Sequence, residues 1–121
     1  MWKIKLLTLQ SALEAAQHTY PDEFISLLGG DKGMKTIDEL VIVPAVFGET
    51  YTLVHGHLIP FDKRIVGSVH SHPSGSARPS VEDLNSFSAF GEIHLILAEP
   101  YVLDSVRAYT ATGKAVRLQV I

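Results

Sequence analysis

The chain has 121 residues, 46% of them apolar and 19% charged, with a net charge of −3. That length holds one domain around one core, here residues 1–121, and the balance excludes a disordered polyanion and a basic nucleic-acid binder. Zero cysteines exclude disulfides and thiolate metal sites and suit a cytoplasmic protein; no apolar run approaches the roughly 20 residues of a membrane span, and no signal-peptide pattern opens the chain.

Trp2, Ile4 and Leu6 alternate with Lys3 and Lys5, which is the period of a short strand. Leu9, Ala12, Leu13, Ala16 and Tyr20 recur at helical spacing, and Pro21 predicts that this amphipathic helix ends by Tyr20. Phe24 to Leu28 reads as a strand closed by Gly29-Gly30, followed by a turn over 31–35. Strands are expected over 36–47 and 50–55 around a Gly48-Glu49 hairpin turn, and the run Val41-Ile42-Val43 predicts burial on both faces. A loop containing Pro60 leads into a strand over 64–72. Val81, Leu84, Phe87, Ser88 and Phe90 outline a second helix, ended by Gly91. A strand over 93–98 follows, then a terminal hairpin of 104–110 and 114–121 turning at Thr112-Gly113. Without repeats, this order predicts an α+β fold, or α/β in a loose sense.

The chemistry concentrates in one stretch. His70 and His72 stand two apart at the end of a predicted strand, so both imidazoles lie on one face, roughly 6.6 Å apart along it. Seven residues, Pro73 to Pro79, form a loop rich in Ser, Gly and Pro. Ser80 then reads as a helix N-cap, and Asp83 falls in the first turn, where the helix dipole favours a carboxylate. The loop is long enough to bring that turn back over the strand. His70, His72 and Asp83 can thus give one zinc ion three ligands and leave a fourth position for water. Ser80-x-x-Asp83 is by itself also a capping box, and an H-x-H alone is also an ordinary polar sheet face. Upstream, Asp22 and Glu23 follow Pro21, where such a pair is ordinarily surface charge; the functional reading needs one of them half-buried beside the start of the next strand and near a zinc-activated water.

The spacing His-Ser-His, seven residues, Ser, two residues, Asp, together with an upstream glutamate, resembles the JAMM signature of the MPN+ metalloproteases, and most of all their short stand-alone prokaryotic members. The resemblance implies a strongly curved mixed β-sheet flanked by two main helices, an architecture similar to that of cytidine deaminases. It implies one catalytic zinc on His70, His72 and Asp83. Glu23 would be the general base and Ser80 the stabiliser of the oxyanion. It implies a substrate class too: conjugates of ubiquitin-like modifier proteins, cut at the (iso)peptide bond after the modifier's C-terminus. Two alternatives accompany it, release of an amino acid from the C-terminus of a sulfur-carrier protein and a non-catalytic MPN scaffold. No nucleic-acid or membrane partner is implied, and no oligomeric state is signalled. Large insertions of the kind that grip ubiquitin have no room near residues 56–64 or after the second helix.

Other H-x-H chemistries fail. A metallo-β-lactamase-like H-x-H-x-D-H would need Asp at 74 and His at 75, where Ser74 and Gly75 stand. Amidohydrolase barrels need about 250 residues, and zinc deaminases need a P-C-x-x-C pair. Ser71 points away from the two histidines and reads as structural; Arg78 reads as a solvated loop charge, with contact to a substrate carboxylate as the other reading. His18, His55, His57 and His94 have no ligand spacing to the motif.

Overall fold

The computed structural model describes residues 1–42 and 64–121. In chain order these form β1 (Trp2–Ile4), α1 (Leu6–Thr19), β2 (Ile25–Asp31), β3 (Thr36–Val41), β4 (Ile65–His72), α2 (Val81–Phe87), β5 (Ile93–Ala98), a 3₁₀ turn (Leu103–Ser105), β6 (Val106–Thr110), β7 (Ala115–Val116) and β8 (Leu118–Val120). The eight strands make one mixed sheet in the order β7-β6-β5-β4-β2-β3-β1-β8. β4 and β5 run parallel, β2 antiparallel to β4, and β6 antiparallel to β5.

The two ends of that order, β7 and β8, are separated in the chain by Arg117 alone. Residues two apart cannot span more than roughly 7 Å, so the sheet must curl until its edges nearly meet. The expected terminal hairpin is therefore only half present. β7 pairs with β6, whereas Leu118–Val120 leaves that partner and pairs in parallel with β1.

Alternation sets the two faces. Val69, Ile93, Leu95 and Leu97 point into the main core, which α1 closes with Leu9, Ala12, Leu13 and Ala16. Ser68, His70 and His72 lie on the other face, as do their β5 partners His94, Ile96 and Ala98. There Phe87 of α2, 1% exposed, packs on Ile96 and Tyr109. That burial contributes roughly 1.5–3 kcal/mol and fixes the helix over the site face.

Several expectations change. Gly29 and Gly30 do not close β2 but lie within it, at a register irregularity against β3 and β4. A Cβ on Gly30 would stand 1.9 Å from the Thr36 carbonyl oxygen, so the close approach of β3 requires glycine there. Val41 is half-buried and Ile42 is 49% exposed, so this run is not covered on both faces. α2 ends at Phe87, short of Phe90, and its Val81 and Leu84 are exposed, leaving Phe87 as its anchor. The Gly48-Glu49 turn, the 50–55 strand and His55 and His57 lie outside the described residues. Among the described residues no helix is long and apolar enough to cross a membrane.

Candidate metal centre

β4 delivers the histidines. His70 is buried and His72 half-buried at the strand's C-terminal end, side by side on one face with ring centroids 5.0 Å apart. α2 delivers the carboxylate. Ser80 is its N-cap: the Ser80 hydroxyl accepts from the Asp83 backbone N–H at 3.1 Å, and the Ser80 N–H donates to Asp83 Oδ2 at 2.8 Å. The capping box and the ligand reading therefore do not compete. The cap holds the carboxylate still, and the loop aims it at the strand. Asp83 Oδ1 lies 3.0 Å from His70 Nε2, Asp83 Oδ2 lies 3.1 Å from His72 Nε2, and the two Nε2 atoms are 3.2 Å apart.

These separations test whether a metal fits. Donors on a tetrahedral zinc at roughly 2.0–2.1 Å stand roughly 3.3 Å from one another, close to the distances seen. His72 Nδ1 lies 3.0 Å from the Ser76 carbonyl oxygen, which can only accept, so Nδ1 carries a proton. That leaves the His72 Nε2 lone pair facing Asp83, and two acceptors at 3.1 Å repel unless a proton or a metal cation lies between them. His70, His72 and Asp83 also form a ligating cluster whose donor atoms all lie within 4.8 Å of one another. The Ser76 contact is the outer-shell partner that metal-bound histidines ordinarily have.

The electrostatics agree. Burial pushes the Asp83 carboxyl upward, but hydrogen bonds to His70 and His72 outweigh it and hold the group far below the usual carboxylate range. The hydrogen bond to Asp83 raises His72 above the usual imidazole value, against the opposing pull of burial.

Glu23 stands on the neighbouring strand edge. Ile25 pairs with His70, and the Ser71 N–H donates to the Phe24 carbonyl at 2.9 Å, so continuing the register sets Glu23 opposite His72 and on its face. The side chain is exposed rather than half-buried, because Phe24 is the first residue to enter the core. It is near enough to raise His72 by its charge. Ser71 has more work than its position on the far face implied. Its hydroxyl accepts from the Phe24 N–H at 2.8 Å and pins the backbone next to Glu23.

Three contributors carry no signal in the sequence. The Ser76 carbonyl is backbone and has no residue signature. The Tyr101 hydroxyl donates to the His72 carbonyl at 3.0 Å, and the Tyr109 hydroxyl donates to the Ala77 carbonyl at 2.6 Å; both depend on which strands are neighbours.

Comparison with known proteins follows the same line. A family model for prokaryotic homologs of the JAB domain matches residues 8–111. A Haloferax volcanii protein named a probable metalloprotease is 34% identical over 122 residues, covering 93% of this chain and 75% of that protein. A solved structure reported as a metalloprotease-like zinc site in the proteasome and signalosome is 39% identical with a TM-score of 0.80, covering 100% of this chain and 98% of the other. A JAB1/MPN domain protein from Archaeoglobus fulgidus is 40% identical with a TM-score of 0.79, covering 98% of each chain.

Proposed function

This chain belongs to the family of prokaryotic homologs of the JAB domain, and from that membership we propose that it is a zinc-dependent peptidase cutting the peptide or isopeptide bond after the C-terminus of a ubiquitin-like modifier protein. The observation that carries this reading is the packing of His70 Nε2, His72 Nε2 and the Asp83 carboxylate within 3.0–3.2 Å of one another, which calls for a cation. His70, His72 and Asp83 hold the metal. Zinc, when bound, supplies Lewis acidity and lowers the pKa of a water it holds to about 7.

The chain's own residues do the rest. Glu23, opposite His72 and open to solvent, takes a proton from the attacking water on its carboxylate and hands it to the leaving nitrogen. The water oxygen ends on the acyl carbon, the C–N bond breaks, and the amine leaves with the second proton in place; one water is consumed. Ser80 uses its oxygen lone pair to cap α2, so its hydroxyl proton remains to donate to the oxyanion as the carbonyl becomes tetrahedral. Tyr101 and Ser76 hold the His72 backbone and ring in position.

A complete donor set with a carboxylate beside it favours an enzyme over a scaffold. The test is incubation of the zinc-loaded protein with ubiquitin-like conjugates, with and without chelator. Cleavage that stops with chelator and returns with zinc supports the proposal; zinc-loaded protein inert toward every conjugate and carrier adduct would support the scaffold.

A further inference from the structure

Where α1 ends and β5 turns, Gln17, Tyr20, Glu99, Pro100 and Tyr101 line an open, mostly apolar recess of about 370 Å³. Its walls are the rings of Tyr20 and Tyr101, 6.3 Å apart between centroids and 61° between planes. Tyr101 is buried and held at φ 60°, a backbone conformation that bulky residues rarely adopt, and Gln17 Nε2 donates to its carbonyl at 3.0 Å. Tyr20 is 51% exposed. Glu99 is half-buried beside them, and among the described residues no cationic side chain pairs with its carboxylate. That negative charge reaches both rings. A hydrogen bond to Glu99, and then its charge, raises the Tyr20 phenol; burial, and then the charge of Glu99, raises Tyr101.

The recess is tied to the metal centre on each side. The Tyr101 hydroxyl donates to the His72 carbonyl at 3.0 Å, and the Glu99 N–H donates to the carbonyl of Ser74, in the loop that follows His72, at 2.8 Å. Tyr20 precedes Glu23 by three residues, and Glu23 is close enough for its charge to act on both Tyr101 and His72. Three residues span at most roughly 10–11 Å of chain. A polypeptide crossing Glu23 and His72 therefore brings a side chain about two or three residues from the scissile bond to the recess.

We propose that Tyr20, Tyr101 and Glu99 form a cation subsite, which takes a lysine or arginine side chain that the substrate carries about two or three residues from the scissile bond. Complementarity names the occupant. A long apolar stem covers the tyrosines and Pro100, and a cationic head finds a ring face and a carboxylate together. An acidic side chain would be repelled by Glu99, and an apolar one would bury that carboxylate without a counter-charge. The occupant is not the lysine of an isopeptide bond, whose nitrogen is an uncharged amide until it leaves. This inference rests on the peptidase reading and adds a preference for sequence around the bond, which the metal ligands and Glu23 do not read.

The test uses zinc-loaded protein and peptides that carry a modifier tail across one scissile bond, with lysine, norleucine or glutamate placed in turn two and three residues to either side. The expected result, at one of these positions, is a kcat/KM for lysine that exceeds that for norleucine by roughly five-fold or more, with glutamate the poorest of the three. E99Q and Y20L should each shrink the lysine-to-norleucine ratio, and E99D should restore part of it. A ratio near one at every position, or a ratio that E99Q and Y20L leave intact, would overturn the subsite and leave the peptidase reading standing. If no peptide is cleaved, the peptidase reading fails, and NMR of the Tyr20 and Tyr101 rings during titration with acetyl-Gly-Lys-Gly-amide still decides the subsite. Shifts that the norleucine counterpart does not produce support it; shifts common to both peptides, or none, refute it.

Discussion

Two histidine corners on the same sheet face share one aromatic neighbour and differ in what surrounds their nitrogens. Phe87 stacks on His94 at 4.3 Å between centroids and 7° between planes, and lies 6.4 Å from His70. At His94 each nitrogen has a complementary partner. Nε2 donates to the Gly91 carbonyl at 2.9 Å, and Nδ1 accepts from the Ser68 hydroxyl at 2.7 Å. A neutral ring is fully satisfied there, and burial lowers its pKa to about 4. In the other corner, the Nε2 atoms of His72 and His70 both converge on the Asp83 carboxylate, a contact that needs a proton or a cation between the groups. A buried histidine is ordinary core when its ring meets one donor and one acceptor. Two rings that converge on one carboxylate instead offer the donor set of a metal site.

The largest expected effect breaks the active corner. Glu23→Gln should lower hydrolysis by roughly 10²–10⁴-fold while zinc content stays at one per chain, read by steady-state kinetics and metal analysis. Asp83→Ala should weaken zinc binding by more than roughly 100-fold in a chelator competition; it removes a ligand, where loss of an outer-shell partner costs 10–100-fold. It should also remove the reciprocal half of the α2 capping box, in which the Ser80 N–H donates to Asp83 Oδ2.

The next prediction separates the corners by pH. His94 titrates at about 4 when folded and 6.5 when unfolded, so below 6.5 the unfolded chain binds a proton that the folded chain refuses. Stability should fall as pH drops from 6.5 toward 4, by up to about 3 kcal/mol from this group. His72 has the opposite sign. Its raised folded pKa adds stability that is present below 6.5 and lost as pH rises through the folded value. Urea midpoints of metal-free protein across this range, with His94→Gln flattening the acid limb, check both signs. The smallest effect is Ser71→Ala, which strands the buried Phe24 N–H at a cost of about 1–3 kcal/mol and should lower turnover more than zinc affinity, because it loosens Glu23.

The active corner was readable in the sequence because its geometry is local. An H-x-H on a strand, a loop of fixed length and an N-cap fix three positions with little help from the rest of the fold. β5 and the end of α1 were readable for the same reason: an apolar run from Ile93 to Ala98 broken only by His94, and Pro21 after Tyr20. What depends on long-range neighbours was not. Nothing local distinguishes 115–116 from 118–120, yet they pair on opposite edges of the order, and that assignment curls the sheet. Gly29-Gly30 looks like a terminator until β3 is seen lying against it. The exposure of Glu23 and the partners of His94 likewise follow from strand order, which spacing along the chain does not contain.

The most direct measurement is a calorimetric zinc titration of the wild-type chain beside His72→Ala and Asp83→Ala. The account predicts one ion per chain, bound tightly with release of protons, and binding largely lost in both variants. Wild type that takes up no zinc at micromolar concentration, or variants that bind as the wild type does, would contradict it.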